Sequence, residues 1–229
     1  MAEGDLDDVV RRVDPDRWLA SRFIADPVAR SDVLALYAFD GELARAPRIA
    51  STPLVAEIRL TWWSEALDEI YGGARVRGHP VAQAVETAVG RRALPRESLQ
   101  SMIDARIGSL GQTAFTESEA IDWADRVGGA ASMAAAEILE VGASATARPA
   151  GRLWGLKLLV ESGLVSRATV APWIGSRWRG ARLAARRMSI ASFPAVAHVA
   201  LVRRWSRGDD GSPTMTRFRL LWAVTTGRI

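Results

Sequence analysis

The stretch STPLVAEIRLTWWSEALDEIYGG, residues 51–73, decides the fold class. Ser51 or Thr52 offers a side-chain oxygen to cap a helix, Pro53 suits its first turn, and Gly72-Gly73 ends it. Between these signals, Val55, Ile58, Trp62, Ala66 and Ile70 form one apolar stripe at helical spacing, with Leu60, Trp63, Leu67 and Tyr71 beside it. Two adjacent stripes describe a wide-faced helix lining the core.

Outward from this segment the same logic repeats. Pro95 and Glu97 open a helix through Leu110, with Leu99, Ile103, Arg106 and Leu110 on one side and Gly111 at its end. Helices are predicted near 14–25, 28–46, 79–89, 117–140, 147–162, 166–188, 191–206 and 213–226. Period-two runs of Val, Ile and Thr, the strand signal, are absent. No Gly/Ser/Pro linker divides the chain and no internal repeat is present. The expectation is therefore an all-α single domain over residues 1–229, with 1–13 a flexible N-terminus, its helices arranged around a central cavity.

Composition excludes much else. The 229 residues are 48% hydrophobic with a mean hydropathy of +0.02, the balance of a globular protein rather than a disordered one. No uncharged apolar run approaches the roughly 20 residues of a membrane-spanning helix. The acidic start MAEGDLDDVV lacks the basic and apolar regions of a signal peptide, which points to the cytoplasm. With no cysteine there is no thiolate chemistry. Two histidines, His79 and His198, leave little for an imidazole metal site. His79 before Pro80 reads as a helix-entry residue, and His198 has no Ser or Asp at triad-like spacing. No phosphate-binding glycine loop appears, because Gly72-Gly73 lacks the lysine that such a loop needs.

Charge is unevenly divided. Residues 1–150 hold 16 arginines against 23 carboxylates, whereas residues 151–229 hold 14 basic residues against three acidic ones. Either the C-terminal third meets something anionic or it packs on the acidic part. Since Lys157 is the only lysine among 30 basic residues, compositional use of arginine is a competing reading. Arg179, Arg182 and Arg186 recur at i, i+3 and i+7 beside an apolar stripe of Trp178, Ala181, Ala185 and Met188. That pattern suits an amphipathic helix with Trp178, Arg179, Arg182 and Arg186 against an anionic membrane surface. A solvated helix end with Trp178 packed inward is the favoured reading of the two. Nucleic acid is not expected, as the tryptophans lie in helical stripes and no binding motif is present. The acidic pairs Asp40/Glu42, Glu65/Asp68/Glu69 and Asp122/Asp125 read as solvated helix faces, although Glu65 and Glu69 share one face.

DRWLASRFIADPVARSDVLALYAFDGELAR (16–45), the Trp63/Leu67/Tyr71/Gly73 pattern and His79-Pro80-Val81, taken in order, resemble the N-terminal half of squalene/phytoene synthases. SFPAVAHVAL resembles a late Ala-x-Pro-Ala segment of that family, so the likeness extends over roughly residues 14–205. It implies an isoprenoid-synthase-like helical bundle with Tyr37, Phe39, Trp62, Trp63 and Trp154 lining a cavity. Ser21, Arg22 and Arg30 become candidate anion contacts. Active members hold magnesium on two aspartate-rich patches, hard carboxylate oxygens that stabilise the departing diphosphate. Here Ala44, Arg45 and Arg48 occupy the first patch, Leu158 and Ser162 replace the Asn and Asp of the second, and Ser109 stands where the middle helix often has another Asp. The resemblance thus implies lost metal positions, with no catalytic residue, metal or cofactor expected.

Phe39, Glu42, Leu43 and Ala44, with Ile103, Asp104 and Arg106, look like the branch of the superfamily that contains a mitochondrial complex I assembly factor. That likeness implies a non-catalytic protein with a respiratory-complex subunit as partner, placed in the cytoplasm at the inner membrane surface. A prenyl-diphosphate condensing enzyme with displaced ligands and a binder of isoprenoid lipid are the alternatives.

Overall fold

The computed structural model describes residues 3–209 and 211–229, and among them every regular element is a helix. In chain order these are α1 (Glu3–Val13), α2 (Pro15–Ser21), α3 (Pro27–Ile49), α4 (Pro53–Gly72), α5 (Pro80–Arg92) and α6 (Arg96–Gly108). There follow α7 (Glu117–Ala124), a π segment (Asp125–Gly129), α8 (Ala130–Leu139), α9 (Ser144–Glu161), α10 (Arg167–Ala185), α11 (Val202–Trp205) and α12 (Pro213–Thr226). The all-α expectation holds.

Local chemistry sets the boundaries. Asp14, Asp26 and Thr52 accept from backbone amides of the first turns of α2, α3 and α4, each followed by a proline at the start of the helix. Thr116 and Glu119 form a reciprocal capping box on α7. Gly73 ends α4 in the left-handed conformation at φ 68°, which costs glycine little.

Three expectations need correction. Residues 3–13 form α1, where a flexible N-terminus was expected; Leu6 and Val10 sit one turn apart, both buried in the core, and residues 1–2 lie outside the described residues. The helix expected over 117–140 is interrupted by the π segment, since Gly128 there lies against the backbone of α9. The helix expected over 191–206 is instead two 3₁₀ turns, Phe193–Ala195 and Ala197–Leu201, running into α11. Pro194 and the burial of Ser192 through Val199 hold this segment as a compact plug.

The buried apolar side chains form one continuous cluster from Leu6 to Ile229. In α4 the Leu60, Trp63 and Leu67 stripe is buried, while Ile58 of the other stripe is exposed and Trp62 half-buried. Helix α9 lies against α10 on one side and against α7, the π segment and α8 on the other. Its last turns, with α2, the second half of α3 and the end of α6, enclose the main cavity.

Candidate functional site

The cavity measures about 960 Å³, within the range of small-molecule sites. All six positions read as lost metal ligands face it: Ala44, Arg45 and Arg48 from α3, Ser109 after α6, and Leu158 and Ser162 at the end of α9. Tyr37 and Trp154 also line it, as expected. Phe39, Trp62 and Trp63 do not. Phe39 points to the opposite side of α3 from Tyr37, and its ring meets Trp63 edge-on at 5.4 Å. Trp62 and Trp63 close over His79 at 5.4 and 5.0 Å. These aromatic rings are core packing, and His79 occupies the N-cap position of α5.

The polar centre of the cavity is a buried ion triad. Asp40 accepts from Arg17 Nη1 and Arg106 Nη2, each at 2.5 Å, through different carboxylate oxygens. The three side chains are at most 5% exposed. Arg17 also lies over the rings of Tyr37 and Trp154, at 5.0 and 5.6 Å. Arg106 donates to the Met102 carbonyl at 3.0 Å and approaches the Trp123 ring. Burial would raise the Asp40 carboxyl, but Arg106 and Arg17 overcome it and hold it below the ordinary carboxylate value. Ser109 donates to the Arg106 carbonyl at 2.9 Å and accepts from Trp123 Nε1. Lys157 pairs with Glu161 at 2.5 Å and with Asp16 at 3.9 Å, and lies 4.3 Å from the Trp154 ring.

Asp14 behaves differently from Asp40. It caps α2 by accepting from the Arg17 amide at 2.9 Å, and burial pushes its carboxyl up to about 6 against the pull of Arg17. An acid raised in the folded state favours folding below its unfolded value and loses that contribution as pH rises to about 6. Asp14→Asn keeps the cap without the charge. It should stabilise the protein at pH 8 by about 1–2 kcal/mol, with no gain at pH 4. Urea melts at the two pH values check this, and equal stability of both proteins at pH 8 would contradict it.

The donor set does not fit magnesium. The ion takes near-octahedral oxygen ligands, with at least one or two carboxylates. Arginine cannot ligate it, and neither Ala44 nor Leu158 offers an oxygen. The carboxylates that do line the cavity, Asp14, Asp16, Asp40 and Glu161, are each engaged by a basic residue. Among the described residues no three His, Cys, Asp or Glu side chains come together as a metal site.

The remaining candidate residues scatter. Ser21 is buried and donates to the Trp18 carbonyl at 2.7 Å; Arg30 pairs with Asp7, which also accepts from Trp18 Nε1; Arg22 is exposed over the Trp18 ring. None of the three lines the cavity; Arg22 and Arg30 lie instead about Asp7 and Trp18. Trp178, expected as a surface contact, is only 7% exposed and sits under Arg203, because it falls on the core side of α10. Arg179 and Arg186 are exposed and Arg182 half-buried. The acidic pairs are salt-bridged: Glu65 and Glu69 both bind Arg77, and Asp125 binds Arg148 and Arg152 of α9. Sequence pattern alone does not mark Arg17, Asp40 and Arg106 as a site. The one signal it carries is Arg106 on the apolar stripe of α6, where only a paired arginine is stable.

Comparison with known proteins agrees with this geometry. The squalene/phytoene synthase family model matches residues 10–158. A Dictyostelium discoideum protein named NADH dehydrogenase (ubiquinone) complex I, assembly factor 6 homolog is 22% identical over 113 residues, 49% of this chain and 32% of that protein. The Bos taurus complex I assembly factor 6 is 30% identical over 108 residues, 47% of this chain and 32% of that protein. The matched region thus spans about a third of the length of these curated relatives. With the family match running from the end of α1 to the wall of the cavity in α9, the chain belongs to the squalene/phytoene synthase family.

Proposed function

We propose that this chain is a non-catalytic squalene/phytoene synthase-like protein that serves the assembly of the respiratory NADH:quinone oxidoreductase, binding a subunit of that complex at the inner membrane surface. The observation that carries the non-catalytic reading is the capture of Asp40 by Arg17 and Arg106, in a cavity lined by Ala44, Arg45, Arg48, Ser109, Leu158 and Ser162, the positions that the family resemblance assigns to metal ligands. Electrostatic stabilisation of a departing diphosphate is commonly among the largest catalytic contributions, and no group here supplies it through a metal. The names of the two relatives support the direction of the role. Among the described residues no helix is long and apolar enough to cross a membrane.

Deletion of the gene should abolish NADH:quinone oxidoreductase activity and the assembled complex on native gels, with recovery on expression of this chain. The purified protein should release no diphosphate from farnesyl or geranylgeranyl diphosphate with magnesium above a no-enzyme control. A normal complex in the deletion strain sinks the assembly role, and magnesium-dependent release sinks the non-catalytic one. One observation favours binding of isoprenoid lipid as a second reading. The cavity of about 960 Å³, with Tyr37 and Trp154 among its lining residues, has the size of a small-molecule site. Lipid extraction and mass spectrometry of the purified protein test it.

A further inference from the structure

Helix α12 has an unusual distribution of apolar side chains. Leu220 and Ala223 are fully buried on its inner side, which packs on the 3₁₀ turn Ala197–Leu201. Its outer side carries Met215, Phe218, Leu221 and Trp222, which are 42, 62, 49 and 45% exposed. At about 100° per residue these four fall on one stripe, interspersed only with Thr214, Thr225 and Thr226. Arg217 and Arg219 flank that stripe, one on each edge. From residue 197 to the end there are six arginines against Asp209 and Asp210, and Arg204 already takes Asp209.

We propose that α12 is a membrane-surface helix that lays the Met215, Phe218, Leu221 and Trp222 face into an anionic bilayer. Charge complementarity favours lipid as the occupant, because arginines border both edges of the stripe and no carboxylate lies within the helix. Such a helix seats its apolar face about 5–10 Å into the boundary between headgroups and acyl chains while its basic edges meet lipid phosphates. The Arg179, Arg182 and Arg186 face of α10 carries one exposed apolar side chain, Leu183, in place of such a stripe, since Trp178 is turned inward. The inference does not depend on the assembly role.

The test is flotation of the full chain with vesicles of phosphatidylcholine alone or with one-third phosphatidylglycerol, at about 0.05 M and about 0.5 M salt. The protein should float with the anionic vesicles at low salt and leave them at high salt. Phe218→Asp with Trp222→Asp should weaken binding roughly tenfold or more. Arg217→Gln with Arg219→Gln should weaken it about 25-fold, at about fivefold per charge removed. Arg179→Glu, Arg182→Glu and Arg186→Glu together should leave it unchanged. Thermal melts by circular dichroism establish that each variant is folded. The proposal is overturned if the wild type ignores anionic vesicles at low salt, if the folded Phe218/Trp222 variant floats equally well, or if the α10 variant alone abolishes binding. It is also overturned if the wild type is a dimer that Trp222→Asp converts to a monomer, which would assign this face to a second copy.

Discussion

Asp40→Asn should lower the melting temperature by roughly 6–20 °C, one of the two largest single-residue effects expected in this protein. Asparagine keeps the shape of the side chain but offers one acceptor where Arg17 and Arg106 each need one, and its amide would face a guanidinium. Two cations would remain in a cavity wall where their side chains are 2% and 5% exposed. Removing one partner from a buried ion group costs about 3–5 kcal/mol, because the charge left behind has no solvent to take it. Replacing the whole group, Arg17→Met with Asp40→Leu and Arg106→Met, should recover most of that loss, since apolar replacement of a complete triad is often neutral. The pH dependence separates this effect from general damage. A carboxyl held below its ordinary value contributes stability that is present above the unfolded value and lost as pH falls through the folded one, so the wild type should weaken below about pH 4. Asp40→Asn should show a shallower acid limb, keeping the part contributed by other paired carboxylates such as Asp7 and Asp125. A variant melting within about 2 °C of the wild type would show that Asp40 is not the counter-charge described here.

Helix existence could be read from the sequence where stop and start signals were chemical. Thr52-Pro53, Gly73 and the apolar stripes located α4 to within a residue, because each acts through local backbone geometry. Tertiary causes were hidden. The apolar pattern from 117 to 140 is continuous, yet the π segment arises where Gly128 meets α9, a contact between residues far apart in sequence. Similarly, α1 is a marginal helix by itself and gains its stability from Leu6 and Val10 against the core.

At the site, the pattern of the chain located the positions that face the cavity but not the pairing inside it. Ala44, Arg45, Arg48, Ser109, Leu158 and Ser162 come from three separate stretches and converge on one cavity. Asp40 and Glu42 looked alike as local acidic residues, but Asp40 is fully enclosed whereas Glu42 pairs with Arg45 at 3.7 Å across one turn. What distinguishes them is the partner on α6, 66 residues away, and no local rule reports that. Phe39, Trp62 and Trp63 erred in the reverse direction, since aromatic residues at helical spacing fill a core as readily as they line a cavity.

Gly155→Ala should be among the most damaging changes of a single methyl group. A Cβ at Gly155 would lie 2.7 Å from Ala124 Cα and closer still to the Ala124 carbonyl oxygen, against carbon contacts that are comfortable at about 3.5–4.0 Å. Both neighbours are backbone, so no rotamer change relieves the overlap, and α9 must move away from α7 by about 1 Å. Trp154, Lys157 and Leu158 line the cavity on either side of Gly155, so the displacement would pass directly to its wall. Asp125 would resist the shift through its ion pairs to Arg148 and Arg152 on the same helix. Overpacking of this kind costs about 1–3 kcal/mol where side chains can adjust. With backbone on both sides the loss should be about 3 kcal/mol or more, a fall of roughly 6–12 °C in melting temperature. Gly175→Ala supplies the control: Gly175 lies inside α10, and a methyl group added there would meet nothing within 4 Å. There alanine only restricts the unfolded chain and favours the helix, so the melting temperature should rise by a few degrees for about 0.5–1 kcal/mol. If Gly155→Ala instead matched the wild type while Gly175→Ala behaved as expected, α9 and α7 could not be packed as closely as the glycines indicate. The cavity wall would then owe its shape to something other than that crossing.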